Sequence, residues 1–102
     1  MLDQNEIIDF LREQYPVLEK EYNISKIGIF GSFARNEQDE NSDIDIMLEF
    51  KPGTQNIYEK KSDLKTFLQS RFHRNVDLCR EKYIKPYIKN YIQKETVYVW
   101  ER

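Results

Sequence analysis

The most regular pattern of the chain is an alternation of apolar and polar residues from Asp43 to Phe50. The apolar members share one face of an extended segment: Ile44, Ile46, Leu48 and Phe50. The opposite face carries Asp43, Asp45, Met47 and Glu49. Because successive side chains of a strand point to opposite sides, this pattern predicts a strand with one buried face and one face that carries carboxylates.

Apolar residues at helical spacing predict the helices. Asp3 followed by Glu6 is typical of a helix start, in which the aspartate caps the first turn and the glutamate returns to the backbone. Pro16 predicts a break near Tyr15, because proline cannot continue a helix but can open one. The helical stripes consist of Ile7, Ile8, Leu11 and Tyr15, then Ile57, Leu64, Phe67, Leu68 and Phe72, and finally Ile84, Tyr87, Ile88, Tyr91 and Ile92. We expect the row of Tyr83, Tyr87 and Tyr91 to pack on the sheet.

Three more short segments predict strands, at residues 25–30, 75–79 and 96–100. The first runs into Gly31, which indicates a tight turn, and residues 32–38 could form one or two helical turns. The predicted order is helix, strand, strand, helix, strand, helix and a final strand. This order predicts a mixed α/β (α+β) fold, in which one domain over residues 1–102 has a small mixed sheet flanked by helices.

Composition and charge narrow the function classes. The 16 basic and 18 acidic residues nearly cancel to a net charge of −2, so a direct nucleic-acid partner is not expected. Cys79 is the single cysteine and cannot form an internal disulfide, so we expect a small core residue and a reducing, cytoplasmic location. The sequence contains no run of 18 apolar residues, so no membrane span is expected, and the N-terminus does not resemble a signal peptide.

The segment that contains Gly31 and Ser32 is a candidate phosphate site. A Gly-Ser turn between a strand and a short helix offers backbone N–H groups, a hydroxyl and little steric obstruction. Arg35 follows closely, and two interpretations of it stay open: a guanidinium that contacts phosphate, or a solvated arginine.

Asp43 and Asp45 form a candidate metal site. Two residues apart on one strand, their Cα atoms lie about 7 Å from each other and their carboxylates project to the same side. Mg²⁺ prefers a few carboxylates together with water and substrate phosphates, and two such ions can assist phosphoryl chemistry. Asp77, between apolar Val76 and Leu78, would join this site if its strand pairs in the right register.

The motif GSFARNEQDENSDIDIMLEF resembles the signature of the nucleotidyltransferase superfamily that includes DNA polymerase beta, in the form typical of minimal nucleotidyltransferases. The later NVDLC resembles the strand that carries the third carboxylate of that family. The resemblance implies a polymerase-beta-like fold and a reaction that uses Mg²⁺ ions, two by expectation, and ATP. It also implies triphosphate contacts at Gly31 and Ser32, and metal binding and catalysis at Asp43, Asp45 and Asp77, the last helping to deprotonate the acceptor hydroxyl.

Two departures from the family pattern bear on local structure. Asn36 stands where the family often has glycine, and we expect the turn to survive because asparagine tolerates positive φ. His73-Arg74-Asn75 replaces a glycine that often precedes the third strand, and we expect His73 to be a surface residue. Ser42 is expected to turn the chain, and Glu49 to be solvated.

In the resembled family, the minimal enzyme is typically the antitoxin of a HEPN-domain ribonuclease toxin and transfers AMP from ATP to a tyrosine of that toxin. About 25 residues follow Asp77, too few for an acceptor-binding domain, so we expect the acceptor on another molecule and a homo- or hetero-oligomer. Two alternatives stay open: an antitoxin that neutralises its partner by binding alone, and nucleotidyl transfer to a small molecule.

Overall fold

The computed structural model describes residues 1–101 and has the predicted mixed α/β architecture. In chain order the elements are α1 (Gln4–Glu13), α2 (Tyr15–Tyr22), β1 (Ile24–Phe30), α3 (Gly31–Ala34), β2 (Ile44–Phe50), α4 (Ile57–Phe72), β3 (Val76–Arg80), a 3-10 turn (Glu81–Tyr83), α5 (Pro86–Glu95) and β4 (Val97–Glu101). Within residues 1–101, no helix has the length and apolar character needed to cross a membrane.

The N-terminal helices begin and end where the sequence predicts. The Asp3 side chain accepts a hydrogen bond of 2.9 Å from the backbone N–H of Glu6, which satisfies one of the free donors in the first turn of α1. The break between α1 and α2 falls at Gln14, and Pro16 lies in the first turn of α2, where its missing N–H costs nothing.

The four strands form one sheet in the order β3-β2-β1-β4. β1 runs antiparallel to both β2 and β4, whereas β2 and β3 run parallel. The β2–β3 register places Asp45 opposite Asp77 and the buried Ile46 opposite the buried Leu78. A slip of one residue would turn the apolar positions of β3 away from the core, so burial fixes this register.

The core lies between one face of the sheet and helices α1, α2 and α4. The fully buried core members from these three helices are Ile7, Leu11, Leu18, Leu64 and Leu68. Its fully buried strand members include Ile27, Ile29, Ile44, Ile46 and Leu48. Because these side chains occupy the apolar face of the sheet, the alternating polar residues of β2 and β3 project from the opposite face.

The expectation that the tyrosine row packs on the sheet is wrong. Tyr83, Tyr87 and Tyr91 are 69%, 78% and 69% exposed, and no residue of α5 is buried. Because α1, α2 and α4 already cover the apolar face of the sheet, α5 lies on the other side, where it contacts α3. The helical period was predicted correctly, but the stripe does not face the core.

Cys79 and Glu49 also differ from expectation. Cys79 follows the buried Leu78 of β3, so it lies on the same sheet face as Asp77 and is only half-buried instead of being a core residue. Burial raises the pKa of the Cys79 thiol, which keeps it protonated at neutral pH. Glu49 is not solvated, because its Oε1 accepts a 2.7 Å hydrogen bond from Nε of Arg80.

The turns confirm three local predictions. Asn36 has φ of 58° and holds the left-handed turn, and His73 has φ of 56° at the exposed C-terminal end of α4. Ser42 turns the chain before β2 by accepting a 2.9 Å hydrogen bond on Oγ from the N–H of Asp39. The residues that replace the expected glycines therefore keep the backbone geometry that glycine would give.

Candidate functional site

The three aspartates of the predicted site lie on one side of the sheet. Asp45 of β2 and Asp77 of β3 are direct neighbours in the parallel register, with strands about 4.8 Å apart. Asp43 is exposed and lies immediately before β2, on the same strand face as Asp45. The structure thus brings the Asp77 backbone beside that of Asp45, which the sequence pattern alone could only assume.

Several negative charges lie close together in this cluster and repel one another. The pKa of Asp45 is raised to about 6, first by burial and then by the negative charges of Asp77, Asp43 and Glu95, against an opposing effect of Arg35. A nearby cation would stabilise the ionised form of such a carboxylate.

The donor set fits Mg²⁺, because all three candidate ligands are hard carboxylate oxygens and Mg²⁺ takes its remaining ligands from water and substrate phosphates. Among residues 1–101, no three carboxylate, imidazole or thiolate side chains already converge closely enough to form a complete protein-only site. The carboxylate oxygens of Asp43, Asp45 and Asp77 are thus candidate ligands by their chemistry, with the other positions around Mg²⁺ left to water and phosphate.

The Gly-Ser turn lies directly against this cluster. Gly31 has φ of 73°, and a Cβ at this position would overlap Oδ2 of Asp45. Its buried N–H donates a 2.7 Å hydrogen bond to Oε2 of Glu95. Ser32 is the next residue and is half-buried in α3. The absence of a side chain at Gly31 thus allows the candidate phosphate turn and the candidate metal ligand to touch.

Arg35 is an exposed residue but not a simply solvated one. Its Nε donates to Glu37 at 2.7 Å, and its Nη1 donates to both carboxylate oxygens of Glu95 at 3.1 and 3.2 Å. These bonds hold the guanidinium next to the turn at Gly31, the candidate phosphate site. The geometry is compatible with the phosphate-contact interpretation.

Sequence analysis did not identify Glu95. It is the last residue of α5, where a negative charge is unfavourable because the helix dipole is negative at that end. This misplaced charge is the signal that could have marked Glu95, since such a residue needs a partner outside its own helix. Gly31 and Arg35 are those partners.

A cleft of about 640 Å³ opens over the carboxylates. It is lined by Asp45 and Asp77 on the sheet and by Tyr58, Lys61 and Lys65 on α4. The two lysines are one helical turn apart and bring positive charge to the acidic cluster. Sequence analysis missed them because two lysines one turn apart on a helix carry no motif.

A second cleft of about 540 Å³ extends the first along β3 toward α5. The two share Phe30, Lys61, Leu78 and Cys79, so they form one groove with an acidic end at Asp77 and an apolar end at α5. The α5 side of the groove includes Ile84, Tyr87, Ile88 and Ile92.

In the absence of metal and nucleotide, Asp45→Asn is expected to raise the free energy of unfolding at pH 7 by about 1 to 2 kcal/mol. This range already allows for the partial solvation of the carboxylate. The folded-state pKa lies above the unfolded value of 3.8, so ionised Asp45 destabilises the fold at neutral pH. The advantage of the variant should shrink as pH falls from about 6 to about 4. Urea unfolding across this range measures it, and a variant that is less stable at pH 7 would contradict the electrostatic account.

Comparison with known proteins gives a consistent result. A family model described as nucleotidyltransferase domain matches residues 5–99. A relative from Methanocaldococcus jannaschii is 43% identical over 96 residues, which span 93% of this chain and 96% of the relative. Protein adenylyltransferase MntA of Thermococcus cleftensis is 31% identical over 99 residues, 97% of this chain and 98% of that protein. The crystal structure of a toxin–antitoxin with AMP-PNP aligns with a TM-score of 0.68 at 27% identity, covering 99% of this chain and 75% of that one.

Proposed function

The chain belongs to the nucleotidyltransferase domain family, and from this premise we propose that it transfers AMP from ATP to a hydroxyl of a partner protein. The observation that carries the proposal is the register of β2 and β3, which sets Asp45 beside Asp77 within one cleft. The similarity to a protein adenylyltransferase and to a toxin–antitoxin bound to AMP-PNP supports AMP and a protein acceptor.

In the proposed reaction, the acceptor oxygen attacks the α-phosphorus of ATP. A bond forms between this oxygen and phosphorus, the bond to the β,γ-pyrophosphate breaks, and the hydroxyl proton passes to the carboxylate of Asp77. The β- and γ-phosphates bind at the turn of Gly31 and Ser32, where Gly31 leaves room for them and Ser32 donates hydrogen bonds to them. Asp43, Asp45 and Asp77 would hold Mg²⁺, and we propose two ions. The positive charge of Mg²⁺ would offset the negative charge that develops on the phosphates.

The groove gives the acceptor a direction of approach. An in-line displacement requires the attacking oxygen to lie opposite the leaving pyrophosphate. With pyrophosphate at Gly31, on the β1 side of Asp45, the opposite side is β3 with Asp77 and Cys79. We therefore place the acceptor segment of the partner in the part of the groove that runs along β3 toward α5.

The proposed partner is a HEPN-type ribonuclease toxin, the proposed acceptor is a tyrosine, and the chain then acts as the antitoxin. The test is to incubate the purified protein with ATP, Mg²⁺ and this toxin and to measure the mass of the toxin. We expect the mass of one or more AMP groups on a tyrosine and loss of ribonuclease activity. An unmodified toxin after incubation with an excess of wild-type protein would overturn the proposal.

Neutralisation by binding alone is a second candidate, because Tyr83, Tyr87 and Tyr91 form an exposed aromatic face on and beside α5. Such a face suits a protein partner. The variant with all three aspartates replaced by asparagine separates the two candidates. If this variant still protects cells from the toxin, binding is sufficient; if protection is lost while the complex still forms, transfer is required.

A further inference from the structure

Glu95 links the end of α5 to the turn that we propose binds the triphosphate. Its side chain is only 14% exposed. Oε2 accepts the N–H of Gly31 at 2.7 Å, and both carboxylate oxygens accept from Nη1 of Arg35 at 3.1 and 3.2 Å. One carboxylate therefore joins a backbone donor and a guanidinium that are 4 residues apart along the chain.

The bond from Gly31 and the bonds from Arg35 act on different properties of the turn. Gly31 is buried and in the left-handed conformation, so its N–H needs an acceptor in the protein. The bond to Glu95 supplies that acceptor and fixes the direction of the peptide that precedes Ser32. The bonds to Arg35 hold a positive charge beside the turn, where a flexible arginine would otherwise lose conformational freedom on binding a ligand.

Glu37 contacts the same arginine and offers a comparison. It accepts from Nε of Arg35 at 2.7 Å, but its side chain is 65% exposed and makes no hydrogen bond to Gly31 among residues 1–101. Exposed ion pairs of this kind contribute little to stability. If the turn is organised by a carboxylate, the geometry selects Glu95 and not Glu37.

We infer that Glu95 is a positioning residue for the nucleotide: it holds Gly31 and Arg35 in the arrangement that receives the triphosphate, without touching the reacting atoms. This inference rests on the proposed function. The opposite role would be competition, in which the carboxylate occupies the place of a phosphate and must leave before ATP binds. The two roles predict changes of opposite sign in nucleotide affinity.

The experiment compares Glu95→Gln, Glu95→Ala and the control Glu37→Gln. Calorimetry gives the Kd for Mg²⁺ with a non-hydrolysable ATP analogue, and ¹⁵N NMR gives the shift of the Gly31 amide. We expect Glu95→Ala to weaken binding about tenfold or more, since it removes a charge-assisted hydrogen bond and the anchor of Arg35. Glu95→Gln keeps an oxygen acceptor for Gly31, so its Kd should stay within about threefold of wild type and its Gly31 amide should stay downfield. Glu37→Gln should change the Kd less than about twofold.

Each other result has a defined meaning. Binding that is more than about threefold tighter than wild type in Glu95→Gln or Glu95→Ala would overturn the inference in favour of competition. An unchanged Kd in Glu95→Ala would overturn it as well, while leaving the proposed function in place. If wild type does not bind the analogue with Mg²⁺, the proposed function fails and the inference fails with it. Should Glu95→Ala not fold, the Kd and the Gly31 amide shift of Glu95→Gln still decide between the two roles.

Discussion

Asp77→Asn is expected to lower the rate of AMP transfer by a factor of about a thousand or more, because it removes the proposed base and a negative charge from the cation site at once. Asp77 is partly exposed, and within residues 1–101 the one hydrogen bond of its side chain is a 3.3 Å contact from Nδ2 of Asn75. An asparagine of the same shape can occupy this place, so the fold should be preserved. Initial rates of transfer to the partner, with excess ATP, measure the effect.

The matched control for this variant is Asp9→Asn. Asp9 is an exposed aspartate of α1, a helix that packs on the face of the sheet opposite the carboxylates. Its replacement by asparagine makes the same change in net charge. We expect its transfer rate to equal that of wild type. If Asp77→Asn retains a tenth or more of the wild-type rate, Asp77 is not part of the reacting centre and the carboxylate cluster must be reinterpreted.

Gly31→Ala is expected to lower both stability and transfer. A Cβ at Gly31 would overlap Oδ2 of Asp45, and φ of 73° is unfavourable for alanine by about 1 to 2 kcal/mol. Because the methyl group must displace either the turn or the carboxylate, we expect a loss of transfer of about a hundredfold or more. Urea unfolding gives the free energy of unfolding, and initial rates give the transfer.

Gly53→Ala separates backbone strain from contact with the site. Gly53 has φ of 80°, close to that of Gly31, but a Cβ there would meet no atom within 4 Å. This variant should lose about 1 kcal/mol of stability and keep full transfer activity. Equal transfer by Gly31→Ala and Gly53→Ala would show that the contact between the turn and Asp45 is not needed.

Much of the fold could be predicted because local patterns and packing agree. Ile44, Ile46 and Leu48 alternate with a face that carries Asp45 and Glu49, and this alternation predicted both the strand and its core-facing side. The helical stripe of α5 shows the limit of such reasoning. Its period correctly predicts a helix, but period alone does not say whether the apolar stripe faces the core, and here it lines a groove.

The candidate site was predictable to the extent that its residues belong to a motif. The positions of Asp43, Asp45 and Asp77 follow from strand alternation, and the β2–β3 register then brings two of them together. Glu95, Lys61 and Lys65 reach the site from helices that are distant in sequence, so only the three-dimensional packing reveals them. Glu49 could not be placed either, because its partner Arg80 lies on a neighbouring strand.

The most direct test of AMP transfer uses ATP labelled at either the α- or the γ-phosphate, with Mg²⁺ and the proposed HEPN-type partner. We predict label on the partner from α-labelled ATP only, release of γ-label as pyrophosphate, and no label on the partner with Asp77→Asn. Label transferred from the γ-phosphate, or no transfer from either position by wild-type protein, would contradict the account.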